Sequence, residues 1–80
     1  MPSKSVTVGS AVGLHARPAA IISEAAGDLG SEVTINGVDA SSALLIMTLG
    51  AACGDTVEVA GEVAEHVDAI AALVEQDLDA

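Results

Sequence analysis

The sequence has no phenylalanine, tyrosine or tryptophan, a single cysteine, and only two basic residues against twelve acidic ones. Because aromatic rings are absent, the chain has no platform on which bases or sugar rings could stack. A formal charge of −10 makes the neutralisation of a row of phosphates implausible, which argues against nucleic acids and anionic membrane surfaces as partners. The lone Cys53 excludes an intrachain disulfide and is typical of a reducing cytosol.

Long hydrophobic runs are also lacking. The longest apolar segment, residues 43–47 (ALLIM), ends at Thr48 and falls far short of the ~18 residues that span a membrane. Residues 1–8 (MPSKSVTV) do not show the basic and then apolar pattern of a signal peptide. We therefore expect a cytoplasmic protein without membrane insertion. Acidic residues are scattered along the chain and lysine is almost absent, a composition that gives a strongly hydrated acidic surface. High intracellular salt would screen the repulsion between these acids, which indicates a halophilic source.

Four segments alternate between apolar and polar residues and are predicted to be strands. The sequence Asn36-Gly37 between two of them is a strong signal for a tight hairpin turn. The four segments are residues 4–8, 32–36, 38–40 and 54–61.

Three other segments have apolar residues at helical spacing. The first begins near Ala16 and is expected to end at Gly27 or Gly30, and the second runs from a cap at Ser41 or Ser42 through Leu49. The third has the apolar stripe Val63, Val67, Ile70, Val74 and Leu78. The resulting βαββαβα order predicts one α+β domain over residues 1–80. It is expected to be an open-faced two-layer sandwich, with a four-stranded antiparallel sheet and three helices on one face.

The only arginine, Arg17, lies two residues after His15, where the first helix is predicted to begin. Pro18 suits the first turn of a helix because its missing N–H would have no partner there. At the N-cap, the His15 ring would lie beside free backbone N–H groups of the helix. These groups favour an anion on the ring and disfavour the imidazolium. Arg17 could add the planar pair of donors of its guanidinium, which suits phosphoryl oxygens. This arrangement favours a neutral, nucleophilic histidine that carries a phosphoryl group. The alternative is an ordinary surface histidine with an arginine that shields the acidic surface.

The segment GLHARPAA, residues 13–20, resembles the active-site signature of the histidine-containing phosphocarrier (HPr) family of the bacterial phosphoenolpyruvate-dependent sugar phosphotransferase system. The chain length, the element order, the SxxxxxTLG pattern at residues 42–50 and the closing helix are also similar to that family. The resemblance implies a carrier without turnover or cofactor, phosphorylated on a histidine Nδ1 by phospho-enzyme I, which then passes the group to sugar-specific IIA domains. His15 matches the phosphorylated position, Arg17 the phosphate-stabilising arginine, and Pro18 the helix-opening proline.

The segment SSALLIMTLG is apolar almost all round, although a short helix on a sheet buries only one side. Its side chains are either all core, or Ala43, Leu44 and Met47 form a docking patch, as the corresponding helix does in the family for enzyme I and IIA domains. Better-known members carry several lysines near the site, whereas here Arg17 alone is basic. We therefore expect apolar docking that tolerates molar salt.

The serine that matches Ser42 is phosphorylated by a regulatory kinase in some Gram-positive relatives, and a simple helix cap is the alternative. His66 is expected to face solvent, and no spacing of acids or histidines indicates a metal site. No long exposed stripe calls for a dimer, so we expect a monomer. Two functional alternatives stay open: a regulatory or nitrogen-linked phosphotransferase paralogue, and a binding module with the same fold that never carries phosphate.

Overall fold

The computed structural model describes residues 1–78 and contains the predicted order of strands and helices along them. The four strands form one antiparallel sheet in the order β1-β4-β2-β3, which confirms the predicted architecture. The elements are β1 Ser3–Thr7, α1 Ala16–Asp28, β2 Val33–Ile35, β3 Val38–Asp39, α2 Ala43–Thr48, β4 Thr56–Gly61 and α3 Ala64–Glu75.

Buried and exposed side chains alternate along β4 because one face of the sheet is covered by helices and the other is open. In β4, Val57 and Val59 are buried while Thr56 and Glu58 are exposed. Ile35 of β2 lies opposite Val59, so two buried side chains meet across the ladder. Asn36 and Gly37 both have positive φ, of 49° and 85°, as a tight hairpin turn that follows the twist of the strands requires.

The helices form the second layer. α3 packs against β1 and β4, and α1 packs against α2 and α3. The core between the layers is purely aliphatic and draws on every helix, with Ile22 from α1, Ile46 from α2 and Ile70 from α3 all fully buried. Within residues 1–78 no helix is both long and apolar enough to cross a bilayer.

The helix ends differ slightly from the predicted ones. Gly27 lies inside α1, which ends at Asp28 with Leu29 as its C-cap, and Gly30 then takes a positive φ of 76°. α3 is shorter than its apolar stripe: Val63 is the N-cap, and Gln76 is extended at the C-cap. Leu78 therefore packs on the core from beyond the helix, because burial does not require it to be helical.

Candidate phosphoryl site

The loop between β1 and α1, residues 8–15, delivers His15 to the start of the helix. Gly13 has a φ of +75°, and a Cβ atom added to it would lie 2.3 Å from the carbonyl oxygen of Ala51. The next residue, Leu14, is only 2 % exposed, and its backbone N–H donates to that same oxygen at 2.9 Å. The loop is thus held against the segment that follows α2, and only glycine fits at position 13.

His15 is the N-cap of α1, as predicted, with an extended backbone (φ −133°, ψ 158°). Its side chain is exposed and does not cap the helix. The ring is therefore free to react or to meet a partner.

Ala16 takes a positive φ of 48° although it carries a Cβ atom. A left-handed conformation costs a residue other than glycine about 1 kcal/mol, and such strain concentrates at functional sites. No feature of the sequence signals it, because alanine is a good helix former and the residue opens a helix.

Arg17 is exposed, and its guanidinium forms no hydrogen bond or ion pair with any other residue in the range 1–78. The backbone N–H groups of Ala16 and Arg17 belong to the first turn, where no helical carbonyl is available to them. Pro18, buried in this turn, fills its position without an N–H group. Free donors and a free cation therefore lie next to His15, which suits an anionic group on the ring.

Charge is unevenly distributed around this site. None of the twelve acidic residues falls in residues 9–23 or 40–54, the two segments that form the His15 loop, most of α1, α2 and the loop after it. Arg17 is the only residue of fixed charge in the two segments together. The rest of the chain therefore carries all twelve acids and Lys4, a formal charge of −11 out of the total of −10, and the His15 region is nearly neutral.

α2 packs against α1, the helix that His15 caps, and carries exposed apolar side chains. Leu44 is 69 % exposed and Leu45 is 40 % exposed, whereas Ala43 and Met47 are half-buried against the core. The interpretation of this segment as all core is therefore wrong, because a six-residue helix turns only part of its surface to the sheet. The docking patch predicted at Ala43, Leu44 and Met47 stays a prediction. Leu45 was missed, because an unbroken apolar run does not mark which side faces water.

Ser42 is the N-cap of α2: its hydroxyl oxygen accepts a hydrogen bond from the Leu45 backbone N–H at 3.3 Å. The preceding turn is fixed by Asp39, whose carboxylate accepts hydrogen bonds from the Ser41 hydroxyl at 2.7 Å and the Ser41 backbone N–H at 2.9 Å. These two bonds, the hydroxyl first, lower the pKa of Asp39. Capping thus accounts for Ser42 structurally, and its regulatory phosphorylation stays a prediction.

His66 is half-buried, and its Nδ1 atom lies 2.5 Å from the Ser31 hydroxyl oxygen. The expectation that it faces solvent is therefore wrong, because the loop after α1 folds over the first turn of α3. Among residues 1–78, no group of three or more histidine, cysteine or acidic side chains could hold a metal ion.

The His15 region is an open surface. Two depressions of about 270 and 310 Å³ lie along α1, and His15 lines neither of them. An exposed histidine on an open surface suits contact with another protein, whose surface would exclude water from the ring.

Comparison with known proteins agrees with this geometry. A family model described as the "PTS HPr component phosphorylation site" matches residues 2–76. Curated phosphocarrier proteins HPr from Streptomyces coelicolor and Treponema pallidum are similar to this chain. The first is 40 % identical and covers 99 % of this chain and 94 % of its own length. The second is 37 % identical and covers 91 % and 88 %.

Solved structures show the same likeness. HPr-C-His from Thermoanaerobacter tengcongensis superposes with a TM-score of 0.88 at 29 % identity, covering 100 % of this chain and 98 % of its own. A phosphocarrier protein HPr from Bacillus anthracis gives 0.83 at 32 % identity, covering 90 % and 94 %. Because the family model matches residues 2–76 of the 80, this chain belongs to the HPr family, the phosphocarrier proteins of the phosphotransferase system.

Proposed function

We propose that His15 accepts a phosphoryl group from phospho-enzyme I in the cytoplasm and passes it to a IIA domain that serves sugar uptake. The observation that carries this proposal is the pairing of an uncommitted His15 side chain with an uncommitted Arg17 at a helix start. In a chain with twelve acids, an exposed arginine that forms no ion pair among residues 1–78 is available for an incoming phosphoryl group.

The transfer needs no general base. A neutral ring nitrogen of His15 attacks phosphorus, the N–P bond forms, and the bond to the donor breaks with its electron pair returning to the donor. Delivery to the acceptor is the same displacement in reverse, with the pair returning to the His15 nitrogen. The Arg17 guanidinium and the first-turn N–H groups stabilise the phosphoryl oxygens throughout. Each carrier is regenerated only by its partners, so it acts as a stoichiometric intermediate.

Docking is assigned to α2. We define the docking face as Ala43, Leu44, Leu45 and Met47, of which the two leucines are the exposed members. Because residues 9–23 and 40–54 contain no acid and only Arg17 as a fixed positive charge, long-range attraction contributes little to this contact. Apolar burial drives it instead, and high salt does not weaken apolar burial.

Intact-protein mass spectrometry tests the proposal. Wild type, His15→Ala and His66→Ala are incubated with phosphoenolpyruvate and enzyme I of the same organism at high salt, and kept alkaline because acid hydrolyses phosphohistidine. We expect one phosphate on wild type and on His66→Ala, the matched control that loses the other histidine, and none on His15→Ala. No phosphate on wild type, with an enzyme I active on another carrier, would refute the carrier function and leave the binding module.

The acceptor is identified in a second step. Discharge of the phosphorylated protein by a sugar-specific IIA domain supports a role in sugar uptake. Discharge only by a regulatory or nitrogen-linked domain assigns the chain to the regulatory paralogues, which use the same His15 chemistry.

A further inference from the structure

The loop that carries His15 is hydrogen-bonded, through a buried hydroxyl, to residues 76–78, which follow α3. This hydroxyl belongs to Ser10, which no sequence pattern marks and which is fully buried. Its hydroxyl donates a hydrogen bond to the Gln76 carbonyl oxygen at 3.1 Å and accepts one from the Leu78 backbone N–H at 3.1 Å. One side chain thus satisfies two backbone groups of the segment that follows α3.

The neighbouring residue makes the same connection. The Gly9 backbone N–H donates to the Val74 carbonyl oxygen at 3.0 Å, near the end of α3. A Cβ atom at Gly9 would lie 1.9 Å from the Glu75 carbonyl oxygen, so no larger residue fits. The loop and the end of α3 are therefore in direct backbone contact, and Ser10 extends that contact beyond the helix to residues 76–78.

Ser10 is also the first residue of the turn that leads to His15. Its carbonyl oxygen accepts a hydrogen bond from the Gly13 N–H at 2.9 Å, and Leu14 is then held by its bond to Ala51. The His15 side chain has no cap bond of its own to hold it. The position of its ring consequently depends on this backbone path from Ser10 to Leu14.

We propose that Ser10 is a positioning residue for phosphoryl transfer, which holds residues 76–78 against the His15 loop and thereby sets the approach of the ring. This inference rests on the proposed function of His15. It predicts that loss of the Ser10 hydroxyl slows the transfer step itself, whereas a merely stabilising serine would change only the free energy of unfolding.

The test compares Ser10→Ala with two controls in the full chain. Ser23→Ala removes a hydroxyl that also donates to a backbone oxygen, that of Ala20, at 3.0 Å within α1. Ile35→Val, at the fully buried last residue of β2, lowers stability without touching the loop. Single-turnover phosphorylation by enzyme I is measured over a range of enzyme I concentrations, together with hydrogen exchange of the Leu78 amide.

For Ser10→Ala we expect Leu78 exchange about fivefold to tenfold faster and a maximal rate about fivefold lower, as loss of two hydrogen bonds allows. The enzyme I concentration that gives half the maximal rate should not change. Both controls should keep the wild-type maximal rate and the wild-type half-maximal enzyme I concentration. An unchanged maximal rate, or an equal loss in Ile35→Val, overturns the positioning role while His15 function stands. A wild type that enzyme I cannot phosphorylate overturns both, and that outcome is recognised before any variant is compared.

Discussion

Gly13→Ala is expected to damage the His15 loop far more than the same substitution at Gly30. The two glycines have almost the same backbone conformation, with φ of +75° and +76°. They differ in their surroundings: nothing lies within 4 Å of a Cβ atom at Gly30, whereas at Gly13 the Ala51 carbonyl oxygen would be 2.3 Å away and the Ala52 Cα atom 2.9 Å away. Gly30→Ala is therefore a control for the strain of positive φ alone.

The expected magnitudes follow from these contacts. Alanine in the left-handed region costs about 1 kcal/mol, and this cost applies to both variants. At Gly13 the clash involves backbone atoms, which cannot rotate away, so overpacking adds about 2 kcal/mol. Gly13→Ala should thus lose about 3 kcal/mol of unfolding free energy and Gly30→Ala about 1 kcal/mol.

Urea unfolding followed by far-ultraviolet circular dichroism measures both values, because the chain has no aromatic side chain to report by fluorescence. Gly13→Ala should also be phosphorylated more slowly, since the loop must move away from Ala51 and carries His15 with it. Equal losses of stability in the two variants would show that the loop does not press on Ala51 in solution, and the account of how His15 is placed would fail.

Three further outcomes are expected. Leu44→Asp should raise the enzyme I concentration for half-maximal phosphorylation about tenfold or more, because it puts a charge in an apolar contact. The unfolding free energy should change by less than about 0.5 kcal/mol in this variant and in the control Ala72→Asp, at an exposed position of α3. A control that impairs docking as much as Leu44→Asp does would contradict the assignment. The wild-type phosphorylation rate should stay within about threefold between low and molar salt, and a steep fall would instead indicate electrostatic docking. The Ser41 bonds lower the folded pKa of Asp39 below its usual 3.8, so they stabilise the fold above the unfolded pKa, and this contribution is lost as the pH falls through the folded pKa. Asp39→Asn should therefore lose less stability than wild type on acidification in urea titrations, and parallel losses would refute this.

Local patterns in the sequence were sufficient for most of the fold. Period-two alternation marked the strands, helical spacing marked α1 and α3, and Asn36-Gly37 marked the hairpin. Serine capping placed the start of α2 to within one residue. The signature around His15 placed the helix start and its neighbouring arginine, because caps and first-turn prolines are local features.

Long-range contacts account for what was missed. The bonds of Ser10 join residues 66 and 68 positions apart, so no window of sequence contains both partners. The contact between His66 and Ser31 spans 35 positions and changed a solvent-facing expectation into a half-buried side chain. The positive φ of Ala16 could not be predicted either, because nothing in the residue type indicates a left-handed conformation.

The small size of the docking face has a kinetic consequence. Two exposed leucines on a six-residue helix offer little area, so docking through this face, as proposed, would give weak and transient complexes. For an association rate of about 10⁶ M⁻¹s⁻¹ and a dissociation constant of about 10 μM, the mean residence time of such a complex would be about 0.1 s. A carrier that exchanges a phosphoryl group with two partners in turn, as proposed, would be limited by dissociation as much as by association. A larger apolar surface on α2 would hold the first partner longer and delay every delivery to the second.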